Sequence, residues 1–331
     1  MSDKWTLLHA RLHQTLRQRQ LLPRQQRILV ALSGGQDSLC LTKLLLDLQP
    51  KWEWILAIAH CDHRWSSDVG IAAHVQQIAQ SWHLPFYLKV ADSLKETEAA
   101  ARQWRYQALS EIARERGFKS IVTGHTKSDR AETLLYNLIR GAGADGLSSL
   151  TWQRLVTPTI ELVRPLLDVS RQETLQFCQQ LQLPIWFDAA NQNLKYARNR
   201  IRNELIPYLS DNFNPQVEKS LAQTAELLHA DVEYLETQAR QLLKQVIVPD
   251  NYKINRFCLR KAPIALQRRA LRQFLFRIID KNPTFEQIEA IIYLINAPNK
   301  TRTSTLPGGA SAEVDGEWIL FRQTINRQSV D

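Results

Sequence analysis

An apolar run, Ile28 to Leu32, leads directly into Ser33, Gly34, Gly35, Gln36, Asp37 and Ser38, after which a helical pattern begins. Paired glycines let a backbone turn tightly and bring N–H groups against phosphate oxygens, hydroxyls add donors, and a helix N-terminus favours negative charge. Asp37 is the odd member, because a carboxylate beside bound phosphates repels them unless a divalent cation such as Mg2+ lies between. The unit therefore describes a nucleotide site with a metal on Asp37; the alternative is an ordinary turn rich in small polar residues. A second constellation is GHTKSDRAET, Gly124 to Thr133. Asp129 and Glu132 are three apart, which on a helix puts both carboxylates on one face. Paired acids can hold a metal, abstract a proton or bind a cationic substrate, or simply complement the dipole of a helix N-terminus. Arg105 could offset transition-state charge or pair with one of these acids. His60, Cys61, Asp62 and His63 look like metal ligands, but adjacent strand residues point to opposite faces, so at most two reach one ion.

Positioning these groups requires a regular scaffold. Residues 27–124 alternate short apolar runs with longer amphipathic stretches. The pattern predicts strands at Ile28 to Leu32, Trp54 to His60, Phe86 to Val90 and Ser120 to Gly124. Helices are expected over Ser38 to Leu48, Val69 to His83, Glu98 to Arg116 and Arg130 to Arg140. Strand–helix repetition implies an α/β fold, a parallel doubly wound sheet whose ligands bind beyond the carboxyl ends of the strands. Thr151 to Pro165 reads as irregular, followed by two or three helices from Ser170 to about Leu209. One long helix is expected from Gln216 to about Val246, then a basic helical region and a helix from Thr284 to Asn296. Two strand-like runs lie around Thr301 to Leu306 and Trp318 to Arg322, with Gly308, Gly309 and Gly316 marking turns.

With ~150 residues to a domain, 331 residues make about two. An apolar fraction of 44% with only 11 Gly and 13 Pro excludes a disordered or collagen-like chain. No run approaches the ~18 apolar residues that span a bilayer, and the start lacks a secretory pattern, so a cytoplasmic protein without membrane contact is expected. Cys40, Cys61, Cys178 and Cys258 form no CxxC pair, which argues against disulfides, zinc ribbons and iron–sulfur clusters. The net charge is +9, and Lys253 to Lys281 alone carries nine bases against Asp280. Lys195, Arg198, Arg200 and Arg202 form a second cluster without an acid. Such patches attract polyanions by releasing counterions, or are merely solvated helix faces. Arginine exceeds lysine 28 to 14, which favours the planar, stacking contacts that RNA offers.

Two pattern matches mislead. Leu32 to Gln36 spells the LSGGQ signature of transporter-type ATPases, but the GxxxxGK[ST] loop those enzymes need is absent. Gly141, Gly143 and Gly146 spell GxGxxG, yet they follow a helix instead of a strand, so the segment reads as a glycine-permitted helix exit, a candidate lid.

Through SGGQDS the chain resembles the PP-loop ATP pyrophosphatases, and within them the tRNA(Ile)-lysidine synthetases. That resemblance runs through AHCDH (Ala59 to His63), AARQWRY (Ala100 to Tyr106), GHTKSDRAET, LIRGAGADGL, RPLLDVSR (Arg164 to Arg171) and YARNRIRNELIPYL (Tyr196 to Leu209). It implies an adenine nucleotide alpha hydrolase-like catalytic domain over residues 1–215. Residues 216–331 would be a linker helix and a small, mostly helical accessory domain with short strands, basic and tRNA-binding. The implied reaction uses ATP and Mg2+ to adenylylate the wobble cytidine of the CAU-anticodon isoleucine tRNA. Free L-lysine then displaces AMP. Ser33 to Ser38 would hold the phosphates and Asp37 the metal. Asp129 and Glu132 would bind or deprotonate lysine, with Arg105 and His125 beside them. Lys195, Arg198, Arg200, Arg202, Arg268, Arg269 and Arg272 would contact tRNA, and a homodimer is left open. The chain departs from the family pattern at Ser128, where an acid is usual, at Arg130, where an amide is usual, and at Arg64, Trp65 and Ser66. Rival readings are an ammonia-using ligase of the same superfamily, like NAD or GMP synthetases, and a non-catalytic RNA-binding protein.

Overall fold

The computed structural model describes residues 5–65, 69–187, 193–248, 252–279, 282–304 and 310–323. The chain divides into two compact units, Met1–His229 and Ala230–Asp331.

The first unit is built on a six-stranded sheet: β1 (Arg27–Ala31), β2 (Ile55–Asp62), β3 (Phe86–Val90), β4 (Ser120–Thr123), β5 (Gln153–Thr157) and β6 (Ile160–Val163). Its order is β3-β2-β1-β4-β6-β5, parallel except for β5, which runs antiparallel to β6. Helices α1 (Leu7–Gln18), α2 (Gln36–Trp52), α3 (Ile71–Ser81), α4 (Glu98–Arg116), α5 (Lys127–Ile139), α6 (Ala144–Leu147) and α7 (Arg171–Gln180) follow in sequence. Next come α8 (Ala197–Arg200), a π-helical turn (Ile201–Leu205), α9 (Ile206–Asn212) and the 30-residue α10 (Val217–Val246). All four expected strands and the helices between them form. So does the single long helix.

β1 explains why the sheet is covered on both faces. Ile28, Leu29 and Val30 are all fully buried, but Ile28 and Val30 pack with Leu41, Leu44 and Leu48 of α2, whereas Leu29 packs with Leu109 and Ile112 of α4. A strand buried on both sides reads as a continuous apolar run, which is why it could be placed from sequence. The strand order reverses at β1: the chain first moves outward through β2 and β3, then returns to place β4 on the other side. The crevice between the carboxyl ends of β1 and β4 is thus the switch point where α/β sheets bind ligands.

The expectation of an irregular Thr151 to Pro165 is corrected, because β5 and β6 form a hairpin there that extends the sheet. Its edge strand exposes Gln153, Arg154 and Leu155 and carries a register shift between Leu155 and Thr157, so no two-residue period survives in the sequence.

In the second unit, β7 (Ile247–Val248), β8 (Lys253–Asn255), β9 (Ala310–Asp315) and β10 (Trp318–Gln323) form an antiparallel sheet ordered β7-β8-β10-β9. It packs with α11 (Arg256–Arg260), α12 (Ile264–Ile279) and α13 (Phe285–Asn296) around Leu271, Phe274, Ile291, Leu294 and Ile319. The run around Thr301 to Leu306 was expected to be a strand; its described part, up to Ser304, is no named strand but lies along β9, with Arg302 bridging to Glu313 and backbone bonds linking Lys300 and Thr301 to Val314 and Thr303 to Ala312. Leu306, Gly308 and Gly309 lie outside the described residues, as do Ser66, Asp280 and Lys281. Gly316, with φ +59°, makes the expected turn between β9 and β10.

Helix α7 starts with a capping box in which Ser170 Oγ and N–H both donate to Glu173, at 2.7 and 2.8 Å. Arg11 adds a bond of 2.6 Å. Burial would raise the Glu173 carboxyl, but the Ser170 donors and Arg11 hold it at about 2. A carboxyl depressed in the folded state stabilises above its unfolded value and loses that contribution as pH falls toward about 2. Because the side chain is 35% exposed, solvent screening reduces the contribution to about 1–2 kcal/mol. Glu173→Gln is therefore expected to lower unfolding free energy by that amount at pH 7, with the difference vanishing near pH 2 in denaturant titrations.

Candidate active site

The loop after β1 is shaped by its own side chains. Ser38 Oγ donates to the Gly35 carbonyl at 3.0 Å and accepts from the Ser33 N–H at 3.1 Å, folding the loop back on the first turn of α2. Gly34 has φ +87°, and the Trp186 N–H donates to its carbonyl at 3.0 Å. Gly124, at the exit of β4, passes so close to α2 that a Cβ there would lie 2.8 Å from backbone atoms of Asp37 and Ser38. Ser33, Gly35, Gln36, Asp37 and Ser38 line a cavity of ≈ 440 Å³ together with Arg105, His125, Asp129, Arg171, Arg198 and Arg202. The expected phosphate loop apart from Gly34 and the expected active-site residues other than Glu132 share one cavity, and Glu132 is tied to it through its bond to Arg202.

Each carboxylate has a different environment. Asp37 accepts from the Thr174 hydroxyl and lies 3.5 Å from the Arg171 guanidinium. Burial pushes its carboxyl above the usual value; Arg171 pulls the other way and nearby Asp129 adds to the rise. Asp129 occupies the third position of α5 and closes a capping box, accepting from the Thr126 N–H at 2.8 Å and its hydroxyl at 2.7 Å. Burial opposes ionisation there, yet Arg171 and the Thr126 donors hold Asp129 below the usual carboxylate range. Glu132 is 2% exposed and takes a bidentate pair from Arg202, Nε to Oε1 at 2.6 Å and Nη2 to Oε2 at 2.7 Å. Burial raises its carboxyl in spite of that partner. His125, bonded to Thr123 Oγ1 at 2.8 Å, is pushed well below its ordinary value by burial and by Arg164, Arg102 and Arg105, so the ring is neutral at pH 7.

The residues read from sequence as a basic surface separate into distinct roles. Arg202 turns inward to Glu132, and Arg198 bonds to Thr133 Oγ1 at 3.0 Å and to Glu98 at 3.1 Å. Lys195 and Arg200 are exposed. On α12, Arg268 pairs with Glu289 at 2.7 Å, while Arg269 and Arg272 converge on Glu236 at 2.9 and 2.6 Å. That segment holds an excess of bases in the sequence, but the partners come from elsewhere in its unit. Arg171 and Thr174, which fix Asp37, were not singled out, although Arg171 ends the RPLLDVSR motif and Ser170 to Glu173 is a visible capping signal. His60 was weighed as a ligand; its Nδ1 instead meets the Leu32 carbonyl at 2.8 Å, supporting the end of β1. Among the described residues no cluster of three His, Cys, Asp or Glu side chains could hold a metal. Two of the departures from the family pattern have structural roles: Ser128 donates to Glu218 at 2.8 Å, and buried Arg130 bonds to Glu226 at 2.6 Å and to the Leu150 carbonyl at 2.9 Å.

A strand-tip loop of this type at the switch point of a parallel sheet defines the PP-loop class, and the family model described as PP-loop domain matches residues 6–209. A curated relative from a Nostoc species, named tRNA(Ile)-lysidine synthase, is 57% identical over 98% of this chain and 99% of its own. One from a Synechocystis species with the same name is 54% identical over 96% and 98%. The chain belongs to the tRNA(Ile)-lysidine synthase family, a family of PP-loop ligases. Among solved structures, the U34-tRNA thiolase of Methanococcus maripaludis superposes with a TM-score of 0.57 at 16% identity, covering 67% of this chain and 77% of that one. That likeness concerns the fold alone.

Two outcomes follow from this geometry. Gly124→Ala forces the first turn of α2 away from β4. It should cost about 1–3 kcal/mol by overpacking and weaken ATP binding at least about tenfold; calorimetry giving wild-type affinity would contradict this. Arg202→Met strands Glu132 without its partner, an expected loss of about 3–5 kcal/mol. Adding Glu132→Gln should recover most of that loss in urea unfolding, whereas simple additivity would mean the pair does not act as a unit.

Proposed function

We propose that the protein joins free L-lysine to the wobble cytidine of the CAU-anticodon isoleucine tRNA, converting ATP to AMP and pyrophosphate in the cytoplasm. The observation that carries this reading is the meeting, in one cavity at the β1/β4 switch point, of a phosphate-binding loop with Asp37, Asp129 and Arg202, which holds Glu132 behind it. Among the described residues no helix is long and apolar enough to cross a membrane.

The loop donors and the α2 N-terminus orient the triphosphate so that pyrophosphate can leave when the cytosine 2-carbonyl oxygen attacks the α-phosphorus. A Mg2+ ion would fit here: Asp37 is a hard oxygen donor whose carboxyl burial and Asp129 have raised, a strain that a divalent cation relieves, and phosphates complete such sites. When bound, it would offset charge on the phosphates. The lysine amine then attacks the activated carbon, which requires loss of a proton from a group with pKa ~10.4. Asp129, ionised and fixed by its cap, supplies negative charge for the ammonium. Glu132, whose carboxyl is raised by burial, is the better proton acceptor, and it becomes available only when Arg202 releases it.

Incubation with the tRNA, ATP and labelled lysine should place label in RNA with AMP formed in equal amount; absence of label overturns the reading. Asp37→Asn is expected to reduce Mg2+-dependent AMP formation by about 10²-fold or more while tRNA binding stays near wild type. Equal activity would remove the metal role from Asp37.

A further inference from the structure

The catalytic unit holds a second concentration of positive charge that the phosphate loop does not use. Arg102 and Tyr106 lie on α4, Arg154 on β5, and Arg164 immediately after β6. The guanidinium carbons of Arg102 and Arg154 are 5.2 and 5.1 Å from the centre of the Tyr106 ring. Arg164 is 1% exposed; its charge acts on the Tyr106 hydroxyl, it donates to the Thr151 carbonyl at 2.8 Å, and its Nε has no partner among the described residues. Among the described residues none of these three arginines forms an ion pair. Burial would raise the Tyr106 hydroxyl, yet Arg102, Arg164 and Arg154 draw it below its ordinary value.

Three guanidiniums around one ring repel one another, and a fold tolerates that where an anion completes the set. At several other clusters the protein supplies the anion itself: Arg268 has Glu289, Arg269 and Arg272 share Glu236, Arg198 has Glu98 and Arg202 has Glu132. Around Tyr106, among the described residues, no carboxylate pairs with the three arginines. Arg154 is exposed and Arg102 partly so, while Tyr106 lines the nucleotide cavity beside Arg105. The cluster is therefore open to solvent on one side and borders the reaction chamber on the other.

We propose that Arg102 and Arg154, which flank the Tyr106 ring with the buried charge of Arg164 behind them, bind a phosphodiester of the RNA chain next to the nucleotide whose base enters the cavity. This rests on the reaction proposed above. A base that reacts in an enclosed site must leave its stack, so its flanking phosphates come to lie at the cavity mouth. Guanidiniums match phosphate oxygens in charge and in donor spacing.

The test measures tRNA affinity from 50 to 300 mM salt for wild type, Arg102→Gln, Arg154→Gln and the double variant, with melting temperatures as the folding control and wild-type lysine incorporation measured alongside. Each lost phosphate contact lowers the salt slope by about 0.7–0.9. A drop approaching one unit in the double variant and a smaller one in each single variant, with several-fold weaker binding, and recovery of the slope in Arg154→Lys support the site. An unchanged slope in a wild type that incorporates lysine overturns the site and leaves the reaction standing. Weakened ATP binding or pyrophosphate inhibition with an unchanged RNA slope assigns the cluster to the nucleotide and also overturns it. A wild type that binds no tRNA overturns site and reaction together; one that binds tRNA with the expected slope changes yet ligates no lysine overturns the reaction alone.

Discussion

At the carboxyl edge of the sheet, the exit of β4 and the first turn of α2 share a space with no room for a side chain: a Cβ on Gly124 would sit 2.8 Å from the Asp37 and Ser38 backbone. That contact sets the distance between the two halves of the site. The phosphate loop and Asp37 lie on one side of it, and His125, Asp129 and Glu132 on the other. Because β1 and β4 are hydrogen-bonded neighbours, Ala31 opposite Thr123, the sheet transmits the register of one half directly to the other. Burial of Ile28, Leu29 and Val30 on both faces makes that register hard to slip.

Electrostatics then divides labour among three carboxylates that the sequence presents as equals. Asp129 is spent on capping α5, and the same donors that cap the helix keep it ionised. Asp37 and Glu132 are buried carboxylates whose partners only partly compensate for lost solvation, which leaves both with raised proton affinity. Opposed shifts within a few residues are the arrangement that acid–base chemistry uses. Arg171 and Arg202 keep the set from unbalanced repulsion in the free protein, and the Arg11–Glu173 bond anchors the helix that presents Arg171.

The charge of the chain shows how composition and surface differ. The basic stretch around α12 is prominent in sequence, but its Arg268, Arg269 and Arg272 are matched by Glu289 and Glu236, residues 21 to 36 positions away. Spacing cannot reveal such partners. The arginines around Tyr106 are spread over more than 60 positions, two of them inside family motifs, and nothing local shows that they gather around one tyrosine without an ion-paired acid among the described residues. Likewise β5 and β6 are missed because an exposed, bulged edge strand loses its alternation, and β9 is displaced from the expected run because pairing with β10 chooses the partner that fits the Gly316 turn.

By itself the sequence determined what is local. The phosphate loop, its six residues being contiguous, the alternating strands and helices of residues 27–124, the capping signals and the long α10 all follow from propensity, period and turn chemistry, which act over a few residues. Family likeness was equally legible, since its motifs are short contiguous strings. Only the tertiary structure decided which carboxyls burial raises and which one a cap holds down, that Arg202 belongs to Glu132, and that Arg102, Arg154 and Arg164 gather around Tyr106. Those outcomes depend on burial and on Coulomb interactions between groups far apart in the chain, and neither exists until the sheet has brought its strand ends together.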